Sequence, residues 1–142
     1  MRTAIITGAD GGMGYEETKA VAQAGYHVIM ACYSPKLAEQ KRLQLVKETG
    51  NQNIEIMGVD LANLSAVKAF ADQVKMKVEH LDLLMNNAGT METGLHITVD
   101  GLERTVSVNY VGPYLLTRLL LPIMGQGSRI VNMASCVYLL GK

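Results

Sequence analysis

A glycine-rich loop between the first apolar run and the first helical pattern constrains the fold of this chain most. The run Thr3–Thr7 leads directly into Gly8-Ala9-Asp10-Gly11-Gly12-Met13-Gly14, and the helical pattern that follows ends near Gly25. Glycines let a strand turn into a helix and let backbone N–H groups approach a diphosphate, which the positive end of the helix also attracts. The loop has no lysine, which argues against a P-loop ATPase. A dinucleotide site is favoured over the alternative, a tight strand-to-helix connection.

Short apolar runs alternate with four helical patterns along the whole chain. The predicted strands are Thr3–Thr7, Tyr26–Cys32, Ile54–Val59, Leu81–Asn86 and Arg129–Ser135. The fourth run is almost continuously apolar, which indicates burial on both faces and therefore a parallel sheet with helices on each side. The alternation predicts a doubly wound α/β fold.

The helical patterns carry start and stop signals. The third has one apolar stripe at helical spacing, formed by Val67, Phe70, Ala71, Val74 and Val78. Ser65 is a plausible cap at its start. The second runs from Pro35 to Gly50, in keeping with proline at the first helical position and glycine just past the end. The longest, about 100–124, contains Gly112-Pro113, where we expect a bend.

Length and composition exclude several classes of protein. A chain of 142 residues predicts one domain spanning 1–142. Thirteen basic and thirteen acidic residues give no net charge, which argues against a nucleic-acid binder, and the 49% hydrophobic content argues against disorder. The longest apolar run, 115–124, is interrupted by Arg118 and Pro122, so no membrane span is predicted. The default is chemistry on a small molecule.

Cysteines and histidines indicate neither a disulfide framework nor a metal site. Cys32 and Cys136 are the two cysteines, and they form no Cys-x-x-Cys or Cys/His cluster. The three histidines are scattered without shared spacing. We therefore predict no metal site, and we expect a reducing, cytoplasmic location.

The position that reads the nucleotide ribose is unusual. Dinucleotide folds usually carry an acid about 20 residues past the glycines to bind the ribose of NAD, or a nearby arginine for the phosphate of NADP. Here Cys32 occupies that place and Tyr33 follows it. Lys36 offers a charge at the start of the second helix, although such a lysine is more often simply solvated. Because no carboxylate at this place would repel the extra phosphate, the sequence favours NADP slightly.

Five motifs in order resemble those of one enzyme family. They are the loop at 7–14, which fits TGxxxGxG; Asn86-Asn87-Ala88-Gly89 after the fourth strand; Asp60 after the third; Asn109 in VSVNYVG; and Ser135 in RIVNMAS. The chain resembles the short-chain dehydrogenase/reductase family, above all the branch with retinol dehydrogenases and protochlorophyllide reductases. The resemblance covers the whole chain but only the N-terminal part of the family fold. It implies a Rossmann-like sheet of order 3-2-1-4-5.

The resemblance also implies how a cofactor is bound. Gly8, Gly12 and Gly14 would hold the pyrophosphate, Asp60 would contact the adenine, and Asn87 with Ala88 would line the adenosine ribose pocket. Turn capping is the alternative role for Asp60 and Asn87. The complete predicted set for NAD(P) is Thr7, Gly8, Asp10, Gly12, Met13, Gly14, Cys32, Tyr33, Asp60, Leu61, Asn87, Ala88 and Gly89.

The reaction that the resemblance implies is hydride transfer between nicotinamide and a carbonyl or secondary alcohol. Asn109 would support a proton-relay water, and Ser135 would orient and polarise the substrate carbonyl. The family also needs a Tyr-x-x-x-Lys pair, in which the lysine lowers the pKa of the phenol. Tyr138 and Lys142 match this pattern, but they follow Ser135 without an intervening loop, so we interpret the match as chance.

Two expectations follow from that interpretation. The chain alone would be catalytically incomplete, so the alternatives are a noncatalytic dinucleotide-binding module, a truncated fragment, or a purely structural fragment. The fifth strand would be an open edge with Val137, Leu139 and Leu140 beside it. Open apolar edges pair with other chains, which predicts self-association.

Overall fold

Five parallel strands form the centre of the molecule, in a computed structural model that describes residues 1–136. They are β1 (Thr3–Thr7), β2 (His27–Cys32), β3 (Ile54–Gly58), β4 (Leu83–Asn86) and β5 (Arg129–Asn132). Their order is β3-β2-β1-β4-β5, and each neighbouring pair is parallel. The predicted doubly wound, Rossmann-like α/β sheet and its strand order are confirmed. The expectations about Val137, Leu139, Leu140, Tyr138 and Lys142 concern residues outside the described ones.

Helices cover both faces of the sheet. They are α1 (Gly12–Gln23), α2 (Pro35–Thr49), α3 (Leu64–Lys77), α4 (Arg104–Val106) and α5 (Gly112–Leu120), with a π-helical turn at Ser107–Val111 and a 3₁₀ turn at Leu121–Ile123. Successive β1 residues point to opposite faces, so Ile5 packs with α3 and α5, whereas Ile6 packs with α1 and α2. The apolar stripe predicted for α3 is buried throughout. One hydrophobic core therefore lies on each face of the sheet.

Helix boundaries confirm some of the predicted signals and correct others. α2 begins at Pro35, and Gly50 caps it in the left-handed conformation (φ +70°), as predicted. At the start of α3, the Asn63 side chain accepts a hydrogen bond from the Ala66 N–H (3.2 Å), so the cap is Asn63 and not Ser65. A cap side chain must come from the residue before the first helical turn.

The long helical pattern starts later than predicted and is divided in two. Asp100 lies in a turn, where its carboxylate accepts a hydrogen bond from the Leu64 N–H (2.8 Å), so the helix begins at Arg104. The expected bend takes the form of the π-helical turn before α5. There Ser107 Oγ donates to the Leu61 carbonyl (3.2 Å), and a Cβ on Gly112 would lie 2.6 Å from that oxygen. Close packing on Leu61 therefore accompanies the break.

Four of the five strands are shorter than predicted: β2 begins at His27 and β3 ends at Gly58, one residue short each, and β4 and β5 are shortened more. The Leu81 N–H donates to the Ile123 carbonyl (2.8 Å), so β4 begins only at Leu83. β5 ends at Asn132, since the Met133 N–H makes the last bond to β4, at the Asn86 carbonyl (3.0 Å). The chain leaves the sheet after Met133.

Candidate functional site

A cavity of about 520 Å³ lies at the carboxyl ends of β1 and β2 and beside the segment after β4. In open parallel sheets, ligands bind in the crevice at this end of the strands. Nine of the thirteen predicted cofactor residues line it: Gly8, Asp10, Met13, Tyr33, Asp60, Leu61, Asn87, Ala88 and Gly89. The other four, which are not among its lining residues, are Thr7, Gly12, Gly14 and Cys32.

Thr7 ties the glycine loop to the end of β4. Its side chain is fully buried, and its Oγ1 accepts hydrogen bonds from the N–H groups of Asn87 and Ala88, both at 3.0 Å. The hydroxyl lies 3.4 Å from the Met85 carbonyl, to which it donates. On the opposite side, the Gly8 N–H donates to the Ala31 carbonyl of β2 (2.9 Å). Thr7 therefore holds Asn87 and Ala88, two residues that line the cavity, against the end of β1.

Three glycines in the loop cannot be replaced without strain: Gly12, which has φ +49°, and Gly8 and Gly14. Gly8 has φ +63°, a conformation that side chains disfavour. At Gly14, an added Cβ would lie 2.1 Å from the Gly8 carbonyl oxygen and 2.6 Å from Asn87 Nδ2. The turn closes this tightly only because neither Gly8 nor Gly14 has a side chain.

The first turn of α1 presents unpaired backbone donors. Gly11 is its cap residue and supplies no side-chain acceptor, in contrast to Asn63 at α3. The first N–H groups of a helix have no partner within the helix, and the helix dipole makes this end attractive to anions. The loop therefore fits the diphosphate of a dinucleotide, as the positions of its glycines predict.

Asp60 and Asn87 stabilise turns and also line the cavity. Asp60 Oδ1 accepts a hydrogen bond from the Ala62 N–H (2.8 Å), and Asn87 Nδ2 donates to the Thr7 carbonyl (3.1 Å). These are the capping contacts considered as the alternative role. Because both residues also face the cavity, capping positions them for ligand contact rather than excluding it.

Cys32 and Tyr33 have different environments although they are neighbours. The Cys32 side chain is fully buried in the core with Ile6 and Met30, and Cys32 is not among the residues that line the cavity. Burial, followed by the nearby Asp10 carboxylate, raises the pKa of the Cys32 thiol to about 12. Tyr33 is 71% exposed and lines the cavity.

A second cavity, of about 740 Å³, brings Asn109 and Ser135 together. It lies between the end of β4, the π-helical turn with α5, and the segment after β5. Asn109 uses its side-chain amide as a clamp: Oδ1 accepts from the Thr90 N–H and Nδ2 donates to the Thr90 carbonyl, both at 2.7 Å. Met13 and 87–89 line both cavities, so the two are adjoining parts of one crevice.

The sequence interpretation missed some lining residues. Gly11, Thr90 and Arg104 line the first cavity, and the Arg104 Nε lies 2.8 Å from Glu92 Oε1. Asn86 lines the second cavity, where its Nδ2 donates to Thr117 Oγ1 (3.0 Å) and Asn132 Oδ1 (2.8 Å). The Asn-Asn-Ala-Gly motif could have indicated Asn86, but no sequence pattern distinguishes Arg104 or Thr90.

Comparison with known protein families identifies the family to which this chain belongs. The family model described as short chain dehydrogenase matches residues 2–141. The chain belongs to the short-chain dehydrogenase/reductase family. The predicted resemblance is confirmed, and members of this family are oxidoreductases.

Individual relatives agree with the family assignment. Mouse retinol dehydrogenase 11 is 38% identical over 99% of this chain, which covers 45% of that protein. Human polyprenol dehydrogenase is 36% identical over 96% of the chain and 43% of its own length. The chain thus spans less than half the length of these relatives and matches the N-terminal part of the family, as predicted.

A solved structure shows the same fold at similar identity. A protein from Mycobacterium paratuberculosis superposes with a TM-score of 0.83 at 36% identity, covering 97% of this chain and 47% of that one. The short-chain dehydrogenase/reductase fold is therefore present in this chain, over about half of a neighbour's length.

Proposed function

We propose that the protein is an NAD(P)-dependent oxidoreductase that transfers hydride between nicotinamide and a carbonyl or secondary alcohol. The observation that carries this proposal is the shared wall of the two cavities, Met13 and 87–89. It lets one ligand extend from the glycine loop toward Ser135. When bound, the nicotinamide nucleotide supplies or accepts the hydride.

Residues of the first cavity would hold the nucleotide. The α1 amides around Gly12 and Gly14 bind the pyrophosphate, because they are unpaired and lie at the positive helix end. Asp60 contacts the adenine, and Asn87 with Ala88 forms the wall of the adenosine ribose pocket. The Thr7 hydroxyl acts indirectly, since it holds the N–H groups of Asn87 and Ala88 in place.

Residues of the second cavity would hold the substrate. The Ser135 hydroxyl orients and polarises its carbonyl. Asn109 is a positioning residue, because its amide fixes Thr90 and keeps the segment after β4 beside Ser135. In the family role it also supports a proton-relay water.

The Tyr-x-x-x-Lys pair that the family reaction needs is not assigned to Tyr138 and Lys142. The described residues lining the second cavity include Tyr110 and Tyr114 but no lysine. A phenol needs a nearby cation to exchange protons at neutral pH. We propose that Tyr138–Lys142 is a chance match, and that this chain alone, one domain spanning 1–142, binds nucleotide without turnover. The alternative function is a noncatalytic dinucleotide-binding module.

Calorimetry followed by a turnover assay tests the proposal. The chain is titrated with NAD⁺ and NADP⁺, and oxidation of the reduced nucleotides is then measured with a panel of aldehydes and ketones. We expect saturable binding, and no turnover by this chain alone. Absence of binding to a demonstrably folded chain would refute the nucleotide site. Turnover that is lost in Tyr138→Phe would refute the chance-match interpretation.

A longer form of the protein, where one is encoded, separates the enzyme from the binding module. The oxidoreductase proposal expects it to turn over carbonyl substrates, and expects Ser135→Ala to lower kcat while leaving the nucleotide Kd unchanged. Nucleotide binding without turnover on any substrate of the panel would favour the module.

We propose self-association through the open edge of the sheet at β5. Among the described strands, β5 lies at one end of the strand order, and its four residues are exposed. Sedimentation velocity should show a mass that rises with protein concentration, and a monomer at every concentration would contradict this.

We also propose a cytoplasmic location. Within residues 1–136, no helix has the length and apolar character needed to cross a membrane. Cys32 and Cys136 are both free thiols in the structure. Cell fractionation tests the location, and recovery in the membrane fraction would contradict it.

A further inference from the structure

The end of β2 lacks the side chain that usually distinguishes NAD from NADP. An acid at this place binds the ribose 2′-hydroxyl of NAD, and an arginine nearby accepts the 2′-phosphate of NADP. Cys32 is buried here and Tyr33 is an uncharged phenol. Another residue must therefore supply any charge that reads the ribose.

Asp10 brings a carboxylate to this place from the glycine loop. The Gly8 N–H holds the loop against the Ala31 carbonyl (2.9 Å), and Thr7 pairs with Ala31 in the sheet register. Asp10 then lines the first cavity together with Ala31 and Tyr33. Burial and then the charge of the Asp10 carboxylate raise the pKa of the Cys32 thiol, which agrees with this placement. The carboxylate thus lies over the end of β2.

The charges around the cavity leave the Asp10 carboxylate unopposed. Among the described residues lining the cavity, Arg104 is the one basic side chain, and it is paired with Glu92. Lys36 is exposed on α2 and is not part of the lining. Asp60 adds a second acid. A 2′-phosphate entering here would meet acidic side chains rather than a free cation.

We propose that Asp10 makes this site select NAD over NADP. The carboxylate accepts a hydrogen bond from the ribose 2′-hydroxyl of NAD and repels the 2′-phosphate of NADP. The inference rests on the proposed nucleotide site and makes it more specific. It reverses the slight preference for NADP that the missing acid on β2 predicts when it is considered alone.

Calorimetric Kd values for NAD⁺ and NADP⁺ test the proposal on the wild-type chain and three variants. Asp10→Asn keeps the shape and removes the charge, and Asp10→Ser removes the carboxylate with a smaller side chain. Glu16→Gln is the control, because Glu16 is an exposed acid on α1 outside the cavity lining. Circular dichroism and Tm confirm that each variant is folded.

We expect the wild-type chain to bind NAD⁺ at least about tenfold more tightly than NADP⁺, as repulsion of a multiply charged phosphate predicts. Both Asp10 variants should shift the ratio of the two Kd values at least about tenfold toward NADP⁺, and Glu16→Gln should leave it unchanged. Added salt should reduce the wild-type discrimination, because it screens the carboxylate.

Two results would overturn the inference while leaving the nucleotide site intact. One is a wild-type chain that binds NADP⁺ as tightly as NAD⁺ or more tightly. The other is a folded Asp10→Asn or Asp10→Ser variant with the wild-type Kd ratio. No binding of either nucleotide to the folded wild-type chain is a different outcome, since it refutes the proposed function itself and the inference with it.

Discussion

β1 and β5 belong to one parallel sheet but have opposite environments. All five residues of β1 are buried, whereas all four residues of β5 are exposed. β1 ends at Thr7, whose buried hydroxyl ties the glycine loop to β4, and β5 leads through an exposed segment to Ser135. The proposed nucleotide site thus adjoins a buried network, whereas the segment that carries Ser135 faces solvent. The proposed function therefore expects nucleotide binding and turnover to be separable by mutation.

The largest effect should come from Gly14→Ala in the glycine loop. The new Cβ would lie 2.1 Å from the Gly8 carbonyl oxygen, so the loop must move. Overpacking of this kind costs about 1–3 kcal/mol. Nucleotide binding should fall below detection in calorimetry, and denaturant unfolding should show the lost stability.

Gly11→Ala is the matched control for this substitution. Nothing lies within 4 Å of a Cβ added at Gly11, and its φ is −134°. It should keep the wild-type stability, and because Gly11 lines the first cavity, the two variants are compared on stability alone. Equal loss of stability in the two variants would show that the close approach at Gly14 does not shape the loop.

Thr7→Val should have the next largest effect, because it leaves two partly buried N–H groups without their acceptor. Losing the bonds from Asn87 and Ala88 should destabilise the protein by about 1–3 kcal/mol. On the β5 side, Ser128→Ala removes a hydroxyl that donates to the Leu81 carbonyl (2.7 Å) and accepts from the Gly125 N–H (3.1 Å). Its cost should be smaller, since Ser128 is half-buried and water can replace it. Equal losses of unfolding free energy in Thr7→Val and Ser128→Ala would contradict the contrast between the β1 and β5 sides of the sheet.

The contrast between buried and exposed positions also predicts how stability depends on pH at the two cysteines. Burial and Asp10 raise the pKa of Cys32 to about 12, from an ordinary value of 9.0 in the unfolded chain. The stability from the neutral buried thiol is thus complete below about pH 9 and is lost as the pH rises toward 12. Between these values the unfolded chain releases its proton first, so Tm should fall with rising pH.

Variants at each cysteine isolate this effect. Cys32→Ala should have a shallower decline of Tm above pH 9, whatever its absolute stability. Cys136→Ala, at an exposed position, should keep the wild-type slope. Parallel curves for wild type and Cys32→Ala would contradict the buried, neutral state of Cys32.

The smallest predicted effects are those of one substitution, isoleucine to valine, made once on β1 and once on β5. Ile6 is fully buried in β1, and Ile130 on β5 is 38% exposed. Ile6→Val should cost about 0.5–1.5 kcal/mol in unfolding free energy, as in other cores. Ile130→Val should stay within about 0.5 kcal/mol. A larger cost at Ile130 would mean that β5 is covered in solution.

The parts of the site that could be predicted from sequence are those set by local pattern. The glycine loop and Asn87-Ala88 after β4 are short motifs at strand ends, so their meeting follows from the parallel sheet. The burial of Cys32 and the break at Ser107 depend on contacts between distant segments. No local pattern shows that the Leu61 carbonyl accepts from Ser107, or that Asp10 reaches the end of β2.

Amide NMR during titration with NAD⁺ tests the central claim most directly, that the glycine loop is the diphosphate site. The account predicts the largest shifts at the N–H groups of Gly11, Gly12 and Met13, with smaller ones at Ala88 and none along β5. Shifts confined to the second cavity, or spread evenly over the sheet while the first turn of α1 is unchanged, would contradict it.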